Sequence, residues 1–339
     1  MNFTAVLRPL IGDWLYYESW LEVFVMVPTL MLNIYFTIRI SQLSTFSVNF
    51  RIIITVQTIL TSLIALVHPL QYFLPETFYS FKDGNYYSAM VTYGVHGALH
   101  FALFLIESKY LLIAIERLIA FNQRTTYEKR NCSVAFKILG VYFVFSTVCF
   151  YAKTRFLWQS YSDLPIDARL RKVVMFDRDY YGYSVNYALS ALSTVAAIYI
   201  FYHIHCQLLR RCAEFCTLSE RFEVRQTQMM LNYAKSLVTA FVILLITCGV
   251  SNSAVAYLKF VEGRVEDDPE IVFVYVFVYI SLCLYNFTAM LYMIRSFPQL
   301  QKVILNDLPF LKRKGTDLVK PERVADTELH FGHLRKSWK

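Results

Sequence analysis

Residues 271–294 read IVFVYVFVYISLCLYNFTAMLYMI, an unbroken run with no charged residue, no proline and no glycine. A helix rising about 1.5 Å per residue needs about 20 residues to cross a hydrocarbon layer of about 30 Å. The run is long enough. Backbone amides inside lipid have to find partners within their own segment, so a run of this length is read as a membrane-spanning helix.

Six further stretches towards the amino terminus meet the same demand: Trp20–Ile38, Ile52–Leu74, Met90–Ile115, Val134–Ala152, Tyr183–His205 and Tyr233–Leu258. With Ile271–Ile294 they make seven. The fold expected is an all-α membrane protein, a seven-transmembrane helix bundle. Pro28 and Pro69 fall inside spans and predict kinks rather than breaks, since neighbouring helices can restore the lost hydrogen bonds.

Composition agrees. Of the 339 residues, 56% are hydrophobic and only 17% charged, against about 45–50% and about 25% in soluble domains. Aromatics reach 17%, a ring surface that lipid-facing helices and interfacial belts accommodate. The net charge of +8 would raise nucleic acid as a partner in a soluble protein. Here the basic residues sit between apolar runs and in the tail, and none of the usual nucleic-acid-binding signatures is present, so no nucleic-acid partner is expected.

Orientation follows from Lys and Arg. With the amino terminus outside, the inner segments and tail carry twenty of the 33 basic residues and the outer segments ten. Basic residues favour the cytoplasmic side, so the chain is expected to run from an outer amino terminus to an inner carboxyl terminus. Residues 1–19 are then an extracellular segment, 20–294 the bundle and 295–339 a cytoplasmic tail. Six basic residues between Lys153 and Arg178 oppose this weakly. Residues 1–19 carry Asp13 and Glu18 and lack the layout of a cleavable signal, so the first span is expected to serve as the targeting segment. Asn2-Phe3-Thr4 is a glycosylation sequon in the outer segment. In the tail, Leu300, Val303, Ile304 and Leu308 recur at helical spacing. They predict an amphipathic helix on the inner membrane surface, followed by Lys312-Arg313-Lys314 for anionic lipid heads.

The third span carries the polar residues that invite a functional reading. At 100° per residue, His96, His100 and Glu107 fall within about 40° of one another, flanked by Tyr93 and Tyr110. Ionisable residues inside a span usually face the bundle interior, so Tyr93, His96, His100 and Glu107 are candidate lining for a small-molecule cavity. Lys109 points the other way and needs a partner of its own, a backbone carbonyl or a neighbouring hydroxyl. His68 lies at a depth similar to His96, which raises a metal site. No Asp or Glu is expected at that depth to activate a water, and ordinary polar packing, or lining of a ligand cavity, is the stronger reading. No metal ligand set and no cofactor is assigned. No nucleophile motif, phosphate loop or H-E-x-x-H is present, so no enzyme is expected.

Seven cysteines occur, none in a segment placed outside, and no structural disulfide is expected. Cys212 and Cys216, four residues apart after the fifth span, are palmitoylation candidates, although free thiols are the commoner outcome.

At the inner end of the third span stands Leu112-Ile113-Ala114-Ile115-Glu116-Arg117-Leu118-Ile119-Ala120. An adjacent acid and arginine can act as a latch, Glu116 neutralising Arg117 in one state and releasing it in another. This stretch resembles the Asp/Glu-Arg signature of G-protein-coupled receptors. Glu116-Arg117-x-x-Ala120 followed by Tyr127-Glu128-Lys129, with Leu218-Ser219-Glu220-Arg221-Phe222 and Gln226, resembles the nematode serpentine chemoreceptors of class epsilon, the Sre family. The likeness runs over nearly all seven spans and is sharp in these two inner segments. It implies a plasma-membrane chemosensory receptor of sensory neurons, which detects a small-molecule ligand and signals through a heterotrimeric G protein. Three features depart from the common rhodopsin-like pattern. No cysteine pair is available for the usual outer disulfide, the sixth span lacks Cys-Trp-x-Pro, and Asn286 and Tyr292 lack the intervening proline. A ligand-gated channel or transporter, and an intramembrane metal-dependent hydrolase on His68, His96 and His100, are the alternatives.

Overall fold

The computed structural model describes residues 3–43, 46–70, 73–81, 84–123, 127, 133–174, 179–211, 218–265 and 268–307. Ten α-helices and one 3-10 turn are found among them. They are α1 (Phe3–Gln42), α2 (Val48–Leu70), the turn (Glu76–Tyr79), α3 (Tyr86–Glu107), α4 (Lys109–Asn122), α5 (Ser133–Ser160), α6 (Ile166–Val174), α7 (Tyr180–Arg211), α8 (Leu218–Phe260), α9 (Pro269–Ser296) and α10 (Pro298–Asp307). Seven segments are long and apolar enough to cross a membrane, and each coincides with one of the expected spans, give or take a few turns.

Within residues 1–296, α1 packs on α2 and α9, α9 on α8, α8 on α7, and α7 on α4, so the first and last spans are neighbours. The third span, α3 with α4, touches α2, α5, α7 and α8 and is central. Periodicity explains how each helix faces. On α1, Glu18, Glu22, Met26, Thr29, Asn33, Phe36 and Ile40 are buried at spacings of three and four, while Phe24, Met31, Ile34 and Ile38 are exposed. That is one helical face turned inward and an apolar one turned to lipid. Phe136, Val141, Val144, Val148 and Tyr151 make the same outward face on α5. Between α7 and α8 the fit is close: a Cβ added at Gly249 would lie 2.6 Å from the Tyr187 hydroxyl.

Three expectations change. The third span is not one helix. It is interrupted at Ser108, which has φ −106° and ψ 18°, so the 100° reckoning fails beyond Glu107. The interruption is held by side chains from three other helices. Tyr142 of α5 donates to the Phe104 carbonyl at 2.6 Å, Gln57 of α2 to the Leu105 carbonyl at 3.1 Å, and Ser193 of α7 to the Glu107 carbonyl at 3.0 Å. Irregular backbone at membrane depth is tolerated where buried protein groups satisfy it in this way.

Next, α5 continues two turns past Ala152, and Lys153 is 3% exposed, donating to Asn186 Oδ1 of α7. Lys153 therefore belongs to the bundle and not to an outer loop. The connection after it also folds. Helix α6 inserts Val173 among Ile64, Leu99, Leu103, Ile106 and Leu157, and Arg169 donates through Nε to the Trp158 carbonyl at 2.7 Å.

At the amino terminus, residues 3–19 are helical and continuous with the rest of α1. The last concerns Pro69, which sits in the final turn of α2, where the helix ends; α1 passes through Pro28 unbroken. In the second unit, residues 297–339, α10 matches the start of the expected amphipathic helix, with Leu300 and Ile304 its buried residues. Leu308, Lys312-Arg313-Lys314, Asn2, Cys212 and Cys216 lie outside the described residues.

Candidate functional site

Three clusters of buried polar side chains stand out among the described residues. The first, at the end of the third span, is the acid–arginine pair. Arg117 donates to the Glu116 carboxylate through both Nε and Nη2, and the Tyr127 hydroxyl donates to the same carboxylate. Arg117 Nη2 also reaches Ser47 Oγ at 3.0 Å, and its guanidinium lies over the Phe50 ring, 5.3 Å from the centroid. Glu116 is fully buried and Arg117 is 1% exposed. Two connections thus meet on one pair. Ser47 lies in the link between α1 and α2, and Tyr127 in the link between α4 and α5. Sequence reasoning found Glu116 and Arg117 by adjacency. Tyr127 stood in the quoted motif with no role, and Ser47 gave no signal.

The second group surrounds the interruption in the third span. Lys109 donates to Asn286 Oδ1 of α9 at 3.3 Å, an amide oxygen in place of the expected carbonyl or hydroxyl. Its ammonium lies 4.6 Å from the centroid of Tyr285, 5.2 Å from Tyr110 and 5.5 Å from Phe241. Ring faces attract a cation, which compensates part of the lost hydration. The Lys153 ammonium lies 5.4 Å from the Phe104 centroid.

The expected ligand stripe is buried, and rings pack against it. Tyr93 donates to the Tyr79 carbonyl at 2.9 Å, and His96 Nδ1 to the Thr92 carbonyl at 2.8 Å with Tyr79 edge-on. His100 stacks on Phe104 and meets Phe150 of α5 edge-on. The stripe therefore faces the 3-10 turn and α5.

The third group was not foreseen. His68 Nδ1 donates to Glu22 Oε1 of α1 at 2.6 Å, and its ring stacks on Tyr279 of α9 with centroids 3.4 Å apart. This overturns the expectation that no acid lies at the depth of His68. Glu22 hides in an apolar run, where one charge scarcely changes the hydropathy. Beside the trio is a cavity with room for about one water. Its polar lining is Glu22, Thr61, His68, Tyr279, Cys283 and Asn286. His68 thus packs with α1 and α9 while His100 packs with α5. Among the described residues no three His, Cys, Asp or Glu side chains come together as a metal set.

No family model matches the chain, and no curated protein matches it either.

Proposed function

We propose that the chain is a seven-helix chemosensory receptor of the plasma membrane, with its amino terminus outside, signalling through a heterotrimeric G protein. One observation carries the reading: the Glu116–Arg117 pair is closed, fully buried, and tied to both neighbouring connections through Ser47 and Tyr127. A buried ion pair adds little net stability over apolar packing, so its presence calls for another reason. A pair that can be opened biases a two-state element, and the residues it releases are those at the end facing a cytoplasmic partner. Tyr93, His96, His100 and Glu107 are the residues proposed for the small-molecule ligand, which would have to displace the rings now covering them.

The test is basal and ligand-stimulated second-messenger output at matched surface levels. Glu116→Gln is expected to raise basal output severalfold. Arg117→Ala is expected to abolish stimulated output while ligand binding persists. Normal signalling by Arg117→Ala would reduce the pair to a structural charge and remove the G-protein part of the proposal.

A second reading, a transporter or channel, is favoured by the interrupted third span with Glu107, Lys109 and Lys153 beside it, since broken helices line transport sites. Only one span is interrupted in this way among the described residues, whereas transporters pair such helices. Ligand-evoked ion flux without second-messenger change would favour this second reading.

A further inference from the structure

We infer that the end of α1 and the start of α2 together bind the phosphate of an anionic phospholipid, shared by Arg39 and Arg51. The inference goes beyond the receptor reading and does not depend on it. Arg39 stands in the last turn of α1 and Arg51 in the first turn of α2. Arg51 Nη1 donates to the Ser41 carbonyl at 2.6 Å, and Arg39 Nη1 donates to Gln42 Oε1 at 2.9 Å. Both guanidiniums therefore lie on the same final turn of α1, and arginine keeps its charge in any such setting. Neither helix offers a carboxylate there, since no Asp or Glu occurs from residue 23 to residue 75. Glu116, at the same end of the bundle, is closed by Arg117 and Tyr127. Arg51 makes that one hydrogen bond and no ion pair among the described residues. The first and seventh spans run in the same direction and pack on each other, and α9 also ends on an exposed arginine, Arg295. Capping the C-terminal end of α1 accounts for one guanidinium. Two on one turn repel each other unless an anion joins them.

The surroundings select the class of anion. Guanidinium forks match the oxygens of a phosphate, which can accept from both arginines at once. The turn lies where the first span ends, at Gln42, which is the depth of lipid headgroups. The Arg39 guanidinium stays at that level, 5.6 Å from the centroid of the Tyr35 ring. Ser41 and Gln42 are exposed, so the site is open and needs no cavity. Towards the membrane centre the surface turns apolar, with Met31, Ile34 and Ile38 exposed on α1 and Val48 and Ile59 on α2. An acyl chain can lie on that surface while its phosphate meets the arginines, whereas a free phosphate ion gains nothing from it. A choline headgroup brings its own cation, which the arginines repel, so the lipid expected is one with net negative charge.

The experiment is native mass spectrometry of the purified full chain, released from detergent containing equal amounts of phosphatidylglycerol and phosphatidylcholine. Preferential retention of phosphatidylglycerol is expected, and an equal concentration of glycerol 3-phosphate should not displace it. A basic residue near an anionic lipid contributes about fivefold, so Arg39→Gln and Arg51→Gln are each expected to weaken the preference by about that factor. Ser41→Glu sets a carboxylate on the exposed turn, leaves both arginines in place and is expected to abolish the preference. It decides the matter if Arg51→Gln does not fold. Replacing Lys312, Arg313 and Lys314 together by Gln controls for the tail and should leave the preference unchanged. Equal retention of the two lipids, full preference in the folded variants, or loss in the tail variant alone would each overturn the assignment. Displacement by glycerol 3-phosphate would overturn its assignment to a lipid.

Discussion

Arg117 is the largest fully buried side chain among the described residues, and its burial changes the energetics of the pair. An exposed ion pair is worth about 1 kcal/mol or less. Removing one partner of a buried pair costs about 3–5 kcal/mol, because the other charge stays behind unpaired. Glu116→Gln and Arg117→Gln are each expected to lower stability by several kcal/mol in detergent. The double variant should lose clearly less than the sum, since it strands no charge. Thermal unfolding of the four proteins checks this, and additive losses would show that the two side chains do not stabilise each other. Tyr127 and Ser47 complete the pair from outside the third span. The sequence therefore showed the pair but not its depth. Adjacency in a chain is visible, whereas contacts across 70 residues, such as Arg117 with Ser47, depend on how connections fold back.

The third span shows most clearly what hydropathy leaves out. Met90–Ile115 reads as one apolar run, because Glu107-Ser108-Lys109 is too short to lower its average. The interruption there exposes carbonyls, and Tyr142, Gln57 and Ser193 each capture one. Hydrogen bonds between membrane helices average about 0.6 kcal/mol and reach about 1.7. Gln57→Leu and Ser193→Ala are expected to cost about 0.5–1 kcal/mol each. Tyr142→Phe should cost more, about 1–2 kcal/mol, because its hydroxyl also contacts Ser108. Calorimetric melting in one detergent ranks the three, and an unchanged melting temperature for Tyr142→Phe would mean that water satisfies the Phe104 carbonyl equally well. The seven-helix architecture itself was legible from length and apolarity alone. Helix α6 was not, since a nine-residue amphipathic segment in a polar connection gives no membrane signal. The histidine stripe was placed correctly on a buried face, but its neighbours on α5 depended on helix rotations that no single sequence contains.

For the whole molecule the open question is which way the bundle points, and the fold bears on the charge argument for it. The connection between Lys153 and Arg178 held six basic residues against the proposed orientation. Lys153 is now accounted for as a bundle residue donating to Asn186. Arg169 is bound to the Trp158 carbonyl, and Arg171 lies over Tyr79, 5.2 Å from its centroid. Basic residues committed to structure in this way say less about sidedness than free ones in short loops, which are the residues the positive-inside rule counts. With that objection weakened, the excess near Arg117, Arg210 and in the tail supports the proposed orientation. Trp14, Tyr16, Tyr17 and Trp20 are exposed together at the start of the first span, where an aromatic belt marks the interface. An epitope before Phe3 is therefore expected to stain on intact cells, and one after Lys339 only after permeabilisation. A mobility shift removed by Thr4→Ala would report glycosylation at Asn2 on the same side. Staining in the opposite sense would turn the Glu116–Arg117 pair outward. The pair could not then meet a cytoplasmic partner, and the receptor proposal would fall.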